Sequence, residues 1–218
     1  NALESGWSLG SVHANEVALA ELLVRRFASL DQLRFTNSGT EANLMALALA
    51  THHTGRSKII AFENGYHGSV LTFGAHADSI NVPYDWIVIP YNDVDAARSA
   101  FATHAKDIAA VLVEPMQGSG GCIPGDPTFL TALRALCTES GALLIFDEVM
   151  TSRFARGGAQ QLLGITPDLT TLGKYLAGGL TFGAFGGRRN VMAAFDPTGG
   201  GALSHPGTFN NNVTSMAA

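Results

Sequence analysis

The sequence is poor in charged residues and in cysteine. Charged side chains make up 14% of the 218 residues, against roughly 25% in an average soluble domain, so we expect something to cover much of the surface. Two cysteines, Cys122 and Cys137, are too few for a disulfide framework, and with seven scattered histidines they offer no four-ligand zinc spacing. These absences favour a protein of the reducing cytoplasm without a bound metal.

The sequence also has no cluster of basic residues and no apolar run long enough to cross a membrane. A net charge of −5 without such a cluster argues against nucleic acids and anionic membranes as partners. The chain begins at Asn1 without an initiator methionine and ends in VTSMAA, which looks like the first turn of a helix. We therefore expect a fragment of a longer protein.

A hydrophobic content of 46% is ample for a continuous core, and the apolar residues follow two patterns. Helical spacing occurs in EVALAELLVRRFASL, GTEANLMALALATHHTG, DVDAARSAFATHAK and DPTFLTALRALCTESG. We expect Asn15 to be the N-cap of the first of these helices and Gly55 to end the second. Short runs of the buried-strand type are LRFT, KIIAF, WIVIP, AAVLVEP, ALLIFDEV, DLTTLGK and FGAFGG. Because the two patterns alternate, the sequence predicts one α/β domain over residues 1–218, with a mostly parallel central sheet flanked by helices.

The residues that end the strand-like runs are candidate site residues, because ligands of parallel sheets bind beyond the carboxyl ends of the strands. The segment NSGTEAN joins a strand to a helix. Its backbone N–H groups and its small residues Ser38, Gly39 and Thr40 favour a phosphate group. An ordinary helix N-cap is the alternative interpretation.

Lys174 and Asp147 each close an apolar run. These two side chains could form an imine with an aldehyde cofactor and keep the nitrogen of its ring protonated. Val149 shares a strand face with Asp147 by the period-two rule and could pack on the same ring. A solvated lysine and a helix-capping acid are the alternatives for each residue taken singly. A phosphate site, a ring-binding acid and an imine-forming lysine together predict a site for pyridoxal phosphate.

Other residues offer weaker signals. Tyr66, in ENGYHGSV, could stack on the cofactor ring and His67 could polarise its surroundings, although both could equally be core residues. Glu114, at the end of AAVLVEP, either points into the same cleft or starts a turn. A competing pattern, GWSLG, matches the nucleophile elbow of serine hydrolases through Ser8. Only NALES precedes it, where the elbow requires a buried strand.

The motifs NSGTEAN, YHG, VEPMQG, FDEVMTS and TLGKYLAGG together resemble those of the class III aminotransferases, which are pyridoxal-phosphate enzymes of fold type I. The resemblance covers essentially the whole chain. The stretches EPMQGSGGCIPG, FGAFGGR and GTFNNNV look similar to the branch of β-amino-acid (β-phenylalanine) aminotransferases. DEVMT with YHG looks like the branch of glutamate-1-semialdehyde 2,1-aminomutase. The resemblance implies the large cofactor-binding domain, with an N-terminal segment and a small C-terminal domain outside this chain.

The resemblance also implies roles for single residues. Lys174 would form the Schiff base, Asp147 would contact the pyridine nitrogen, and residues 38–40 would bind the phosphate. Tyr66 and Val149 would enclose the ring.

Two further positions concern the assembly of subunits and a difference from other members of the family. Thr208, in HPGTFNNN, matches a threonine that reaches the phosphate bound by the other subunit, which implies a homodimer with shared sites. Met150 stands where many members carry a glutamine.

The implied activity is a ping-pong transfer of an amino group from an amino acid, such as the β-amino acid β-phenylalanine, to a 2-oxo acid. The aminomutase is the nearest alternative. A serine hydrolase acting through Ser8 and a cofactor-free structural fragment are the others.

Overall fold

The computed structural model describes residues 4, 6–7, 10–74, 80–199 and 203–218. Within these ranges no helix is both long and apolar enough to cross a bilayer. The helices and strands are, in chain order, α1 (Ala14–Arg26), β1 (Gln32–Thr36), α2 (Gly39–Thr54), β2 (Lys58–Phe62), β3 (Asp85–Ile89), α3 (Val94–His104), β4 (Ile108–Val113), β5 (Met116–Gln117), β6 (Ile123–Pro124), α4 (Pro127–Ser140), β7 (Leu143–Asp147), α5 (Gly158–Leu163), β8 (Leu169–Gly173), β9 (Gly183–Gly187), α6 (Arg189–Met192) and α7 (Val213–Ala217).

Seven strands form one mixed sheet in the order β1-β9-β8-β7-β4-β2-β3. Strands β3, β2, β4, β7 and β8 are parallel to one another, whereas β9 is antiparallel to both β8 and β1. Strands β5 and β6 form a separate two-stranded ribbon. The prediction of a mostly parallel sheet is confirmed, and β9 is its one reversed strand.

The period-two alternation of the strands divides the core between the two faces of the sheet. On one face, Ile59 and Ile145 pack with Leu47 of α2. On the other face, Phe146 packs with Phe129 of α4 in a second cluster, to which α3 also contributes. A third cluster lies between α1 and strands β1, β8 and β9. Because both faces are covered, β4 is apolar and buried along its whole length.

The helix ends agree with the sequence at α2 and differ at α1. Helix α2 ends at Gly55, whose φ of 66° is the left-handed conformation that glycine adopts readily. The predicted N-cap Asn15 is wrong, because His13 caps α1 with its ring Nδ1 accepting from the Glu16 N–H at 3.3 Å. His13 Nε2 also lies 2.6 Å from the Asn211 carbonyl oxygen, just before α7. Both ring nitrogens of the capping histidine therefore have a partner.

Candidate active site

A cleft of about 450 Å³ opens at the carboxyl ends of the parallel strands, beside the turn between β1 and α2. It is lined by Gly39, Thr40, Asn43, Tyr66, His67, Gly68, Glu114, Gly118, Ser119, Asp147, Val149, Met150 and Lys174. Seven of the nine predicted site residues are in this lining. The two that are not are Ser38 and Thr208.

Lys174 directly follows β8 and begins a 3-10 turn over Lys174–Ala177. Its φ is 52°, a left-handed conformation that costs a residue with a side chain of the order of 1–3 kcal/mol. Among the described residues none forms a hydrogen bond or an ion pair with Lys174 Nζ. The amine therefore enters the cleft from a backbone that the surrounding structure must hold in place.

Asp147 ends β7 and is 4% exposed. Its Oδ2 accepts from Asn43 Nδ2 at 2.8 Å and from His67 Nδ1 at 2.8 Å, while its Oδ1 accepts from the Val149 N–H at 3.0 Å. These donors fix the plane of the carboxylate at the floor of the cleft. The prediction that Val149 shares a strand face with Asp147 is wrong, because β7 ends at Asp147. The turn that follows the strand brings Val149 to the cleft instead.

Asn43 is a buried residue of α2 whose contact with Asp147 the sequence did not predict. Besides that contact, its Nδ2 donates to the His67 carbonyl oxygen at 3.0 Å and its Oδ1 accepts from Thr171 Oγ1 at 2.7 Å. Because the His67 carbonyl oxygen and Asp147 Oδ2 can only accept, the amide must present its N–H groups to them, which leaves Oδ1 to accept from the Thr171 hydroxyl. The available signal was the polar residue one turn after Gly39 on an otherwise apolar helix face.

The turn between β1 and α2 presents the start of a 16-residue helix to the cleft. Gly39 and Thr40 belong to the first helical turn, where N–H groups have no acceptor within the helix, and such a terminus favours anions. A side chain at position 39 would displace Val149, because a Cβ there would lie 2.8 Å from Val149 Cγ2. Gly68, at φ 128°, packs so closely on Thr40 that a Cβ would overlap its side chain.

Ser38 is the N-cap of α2, since its Oγ accepts from the Glu41 N–H at 3.1 Å. The N-cap interpretation therefore describes this residue. A hydroxyl that accepts one hydrogen bond can still donate another, so capping and anion binding are compatible at Ser38.

Glu114 connects two loops of the cleft. Its Oε1 accepts from the Tyr66 N–H and its Oε2 from the Gly118 N–H, each at 3.0 Å. Burial raises the pKa of the Glu114 carboxyl above its ordinary value, against the lowering effect of nearby His67 and of the two N–H donors. Tyr66 itself is 43% exposed at the mouth of the cleft. Glu114 thus points into the cleft and also fixes the loops around it.

The neighbouring acid Glu148 has a different environment. Its carboxylate accepts from the Ala159 N–H at 2.8 Å, the Gln160 N–H at 2.9 Å and Thr151 Oγ1 at 2.8 Å. It therefore caps the start of α5, and burial raises its pKa. Of the consecutive acids in FDEV, one faces the cleft and the other stabilises a helix terminus.

Thr208 is exposed and lies in the segment before α7. Two residues further on, this segment contacts the turn between β1 and α2, because Asn37 Nδ2 donates to Asn210 Oδ1 at 2.9 Å. Met150 lies against the loop at Gly118, where a Cβ would come within 2.7 Å of its Sδ. Ser8, the residue of the nucleophile-elbow pattern, lies outside the described residues.

Comparison with known proteins identifies the family. The class-III aminotransferase family model matches residues 7–218. The chain is 59% identical over 217 residues to a β-phenylalanine transaminase of Variovorax paradoxus, covering 100% of this chain and 50% of that protein. The chain thus spans about half the length of this curated relative.

Solved structures support the same assignment. A structure of a β-phenylalanine aminotransferase from Variovorax paradoxus superposes with a TM-score of 0.96 over 99% of this chain and 50% of that one, at 59% identity. A transaminase with bound pyridoxal phosphate matches at 38% identity with a TM-score of 0.91, over 99% of this chain and 54% of that one. A glutamate-1-semialdehyde aminomutase from Pseudomonas aeruginosa matches at 30% with a TM-score of 0.86, over 99% and 52%. These likenesses confirm the predicted fold class.

Proposed function

Since the chain belongs to the class III aminotransferase family, we propose that it carries the cofactor site of a pyridoxal-phosphate-dependent aminotransferase. The donor we propose is a β-amino acid such as β-phenylalanine, and the acceptor is a 2-oxo acid. Identity of 59% to a β-phenylalanine transaminase, against 30% to an aminomutase, supports transfer over isomerisation. The observation that carries the proposal is that Lys174 and Asp147 line one cleft with the first turn of α2.

The cleft suits pyridoxal phosphate in size and in chemistry. Its volume of about 450 Å³ is within the range of roughly 300–1,000 Å³ for small-molecule sites. The N–H groups of Gly39 and Thr40, with the hydroxyl of Ser38, would hold the phosphate. The side chains of Val149 and Tyr66 would enclose the ring. Once bound, the cofactor would supply an aldehyde that combines with amines and a ring that accepts electrons from a breaking bond to carbon.

Lys174 and Asp147 would perform the two central roles. Lys174 Nζ would hold the cofactor covalently between turnovers and serve as the base that removes a proton from the amine-bearing carbon of the substrate. Asp147 would keep a proton on the ring nitrogen, an electrostatic role that an uncharged amide performs poorly. His67 and Asn43 orient the Asp147 carboxylate, and Glu114 fixes the loop that carries Tyr66.

We further propose a homodimer in which Thr208 contributes to the phosphate site of the partner. Thr208 is exposed and is not part of the cleft in its own chain, as a residue that acts on a second subunit should be. The low content of charged residues, 14%, is consistent with a surface that other protein covers. Residues 1–218 would form the large cofactor domain.

We propose the cytoplasm as the location. Both cysteines are free thiols, with Cys137 buried and Cys122 exposed, which suits a reducing compartment.

The test uses the full-length protein in which this chain occurs, supplied with pyridoxal phosphate, β-phenylalanine and 2-oxoglutarate. We expect one glutamate for each 2-oxoglutarate consumed. Isomerisation of glutamate 1-semialdehyde without any acceptor, together with no glutamate formation, would overturn transfer in favour of the aminomutase. Labelling of Ser8 by an active-site phosphonate would support the hydrolase instead.

A further inference from the structure

Tyr175, the residue after Lys174, contacts two arginines from other parts of the chain. Lys174 has the left-handed φ of 52°, and residues with side chains keep that conformation only where neighbouring contacts enforce it. On its N-terminal side, Gly173 is paired with Gly183 in the sheet. On its C-terminal side, the fixed neighbour is Tyr175.

Two arginines hold Tyr175. Arg26, the last residue of α1, donates from Nη2 to Tyr175 Oη at 2.7 Å. The guanidinium carbon of Arg153 lies 4.8 Å from the centre of the Tyr175 ring, within the range of a cation–π interaction. We call Arg26, Tyr175 and Arg153 the tyrosine clamp.

The clamp connects three separate parts of the fold. Arg26 also donates from Nη2 to the Ser152 carbonyl oxygen at 2.6 Å and from Nε to the Arg156 carbonyl oxygen. A single guanidinium thus joins the end of α1, the segment that follows β7 and the turn that carries the lysine. Because that segment also follows Asp147, the clamp links the two strand ends that bear the proposed catalytic groups.

None of the three clamp residues lines the cleft. Any effect they have on chemistry must therefore be indirect, and the shortest route is through Lys174, the residue that precedes Tyr175 and lines the cleft. On the basis of the function proposed for Lys174, we propose that the tyrosine clamp is a positioning device that keeps the backbone of Lys174 left-handed and its amine directed into the cleft. Without the clamp, the peptide at Lys174 can relax toward the ordinary helical or extended regions, and Nζ moves away from the place where it reacts.

The first test measures the capture of pyridoxal phosphate in the full-length protein without substrates. The protein is mixed with cofactor and cyanoborohydride, and labelling of Lys174 is compared by peptide mass spectrometry with labelling of Lys106, an exposed lysine outside the cleft. We expect Tyr175→Phe, which keeps the ring and removes the hydroxyl, to lower the Lys174-to-Lys106 labelling ratio about tenfold, because misplacement of a reacting group by about 1 Å can cost up to a hundredfold. We expect kcat to fall by a similar factor and KM for the amine to change little.

The matched controls remove a guanidinium group or a tyrosine hydroxyl at positions outside the clamp. Arg26→Met is compared with Arg25→Met, since Arg25 is the preceding residue of α1 and pairs with Glu21 on the surface. Tyr175→Phe is compared with Tyr84→Phe, a tyrosine that packs on Trp86 away from the cleft. Arg153→Gln removes the cation–π partner of Tyr175 at an exposed position and gives a second clamp variant should Arg26→Met not fold.

The outcomes separate the clamp from the proposed function. If clamp variants lose stability in denaturant unfolding but keep the labelling ratio of the unaltered protein, the clamp is only structural and the inference is wrong. If the unaltered protein itself shows no preference for Lys174 over Lys106, the function proposed for Lys174 fails first. A lowered ratio in Tyr175→Phe and Arg153→Gln, with both tyrosine and arginine controls unchanged, supports the clamp.

Discussion

His67 Nδ1 and Asp147 Oδ2 lie 2.8 Å apart at the floor of the cleft, with side chains that are 1% and 5% exposed. The ring donates to an oxygen that also accepts from Asn43, so two groups from different segments fix one carboxylate oxygen. The other oxygen accepts from the Val149 N–H. This arrangement orients the acid before any ligand binds, as electrostatic catalysis requires.

Asp147→Asn should lower kcat by about a hundredfold or more, because an amide cannot keep the proton on a ring nitrogen as a carboxylate does. The matched variant is Glu148→Gln in the adjacent position, whose carboxylate accepts four hydrogen bonds around the start of α5. We expect that variant to lower the free energy of unfolding and to change kcat far less. Steady-state kinetics and urea unfolding of both variants check that Asp147→Asn mainly lowers kcat and Glu148→Gln mainly lowers the free energy of unfolding. Equal effects of the two variants on kcat would contradict the prediction.

Asn43→Leu should lower the free energy of unfolding by about 1–3 kcal/mol, because the Thr171 hydroxyl and Asp147 Oδ2 each lose a buried partner. Thr171→Val removes the other end of the same bond. If the network acts as a unit, the double variant should lose less stability than the sum of the two single variants, by about 1 kcal/mol. Strictly additive losses in urea unfolding would show that Asn43 and Thr171 are independent.

Glu114 should make stability depend on pH. Its pKa in the folded protein is raised above the ordinary 4.5, chiefly by burial, with His67 and Asp147 as the nearby titratable groups. Between 4.5 and the raised pKa, the folded protein therefore holds a proton that the unfolded chain has lost, so the free energy of unfolding falls as the pH rises through that window.

The variant Glu114→Gln tests this dependence of the free energy of unfolding on pH. The glutamine accepts only through one oxygen and loses one of the two N–H donors, which lowers stability by an amount that does not depend on pH. We expect the stability of the unaltered protein relative to the variant to decline above pH 4.5, by about 1.4 kcal/mol for each unit by which the pKa is raised. The contribution of Glu148 cancels in the difference. A difference that is constant or increases with pH would contradict the prediction.

Gly68→Ala should weaken binding of pyridoxal phosphate, because the added methyl group must displace Thr40 from the start of α2. Gly164→Ala is the matched control, since that glycine also has a positive φ, 64°, but has nothing within 4 Å of the added Cβ. Gly164→Ala should lose about 1–2 kcal/mol of stability from backbone strain, and Gly68→Ala should lose more because the added Cβ also overlaps Thr40. Only Gly68→Ala should raise the dissociation constant of the cofactor, measured by fluorescence titration, and an equal effect in both variants would show that Thr40 is not displaced.

Much of the fold follows from local pattern. Apolar runs of five or six residues, such as Ile108–Val113, alternate with helical spacing, and that alternation indicates a parallel sheet with helices on both faces. The reversal of β9 was not predictable in this way, because a short run rich in glycine carries no signal for strand direction. The turn from Lys174 to Ala177 with the two glycines that follow reverses the chain there.

The candidate site was predictable where a residue type has one main chemical use at its position. Lys174 and Asp147 end strands on the same edge of the sheet, and the parallel sheet makes them neighbours. Asn43 and Tyr175 could not be recognised, because their partners are 104 and 149 residues away along the chain. Such contacts are set by packing of distant elements, and no local pattern specifies them.

The most direct test of this account is reduction of the full-length protein with borohydride in the presence of pyridoxal phosphate, followed by dialysis and peptide mass spectrometry. We predict an absorbance band typical of the bound cofactor, and after reduction a cofactor fixed to the peptide that contains Lys174. In Lys174→Ala the cofactor should wash away, while Lys106→Ala should retain it. Equal retention in the protein and in Lys174→Ala, or attachment to another lysine, would contradict the account.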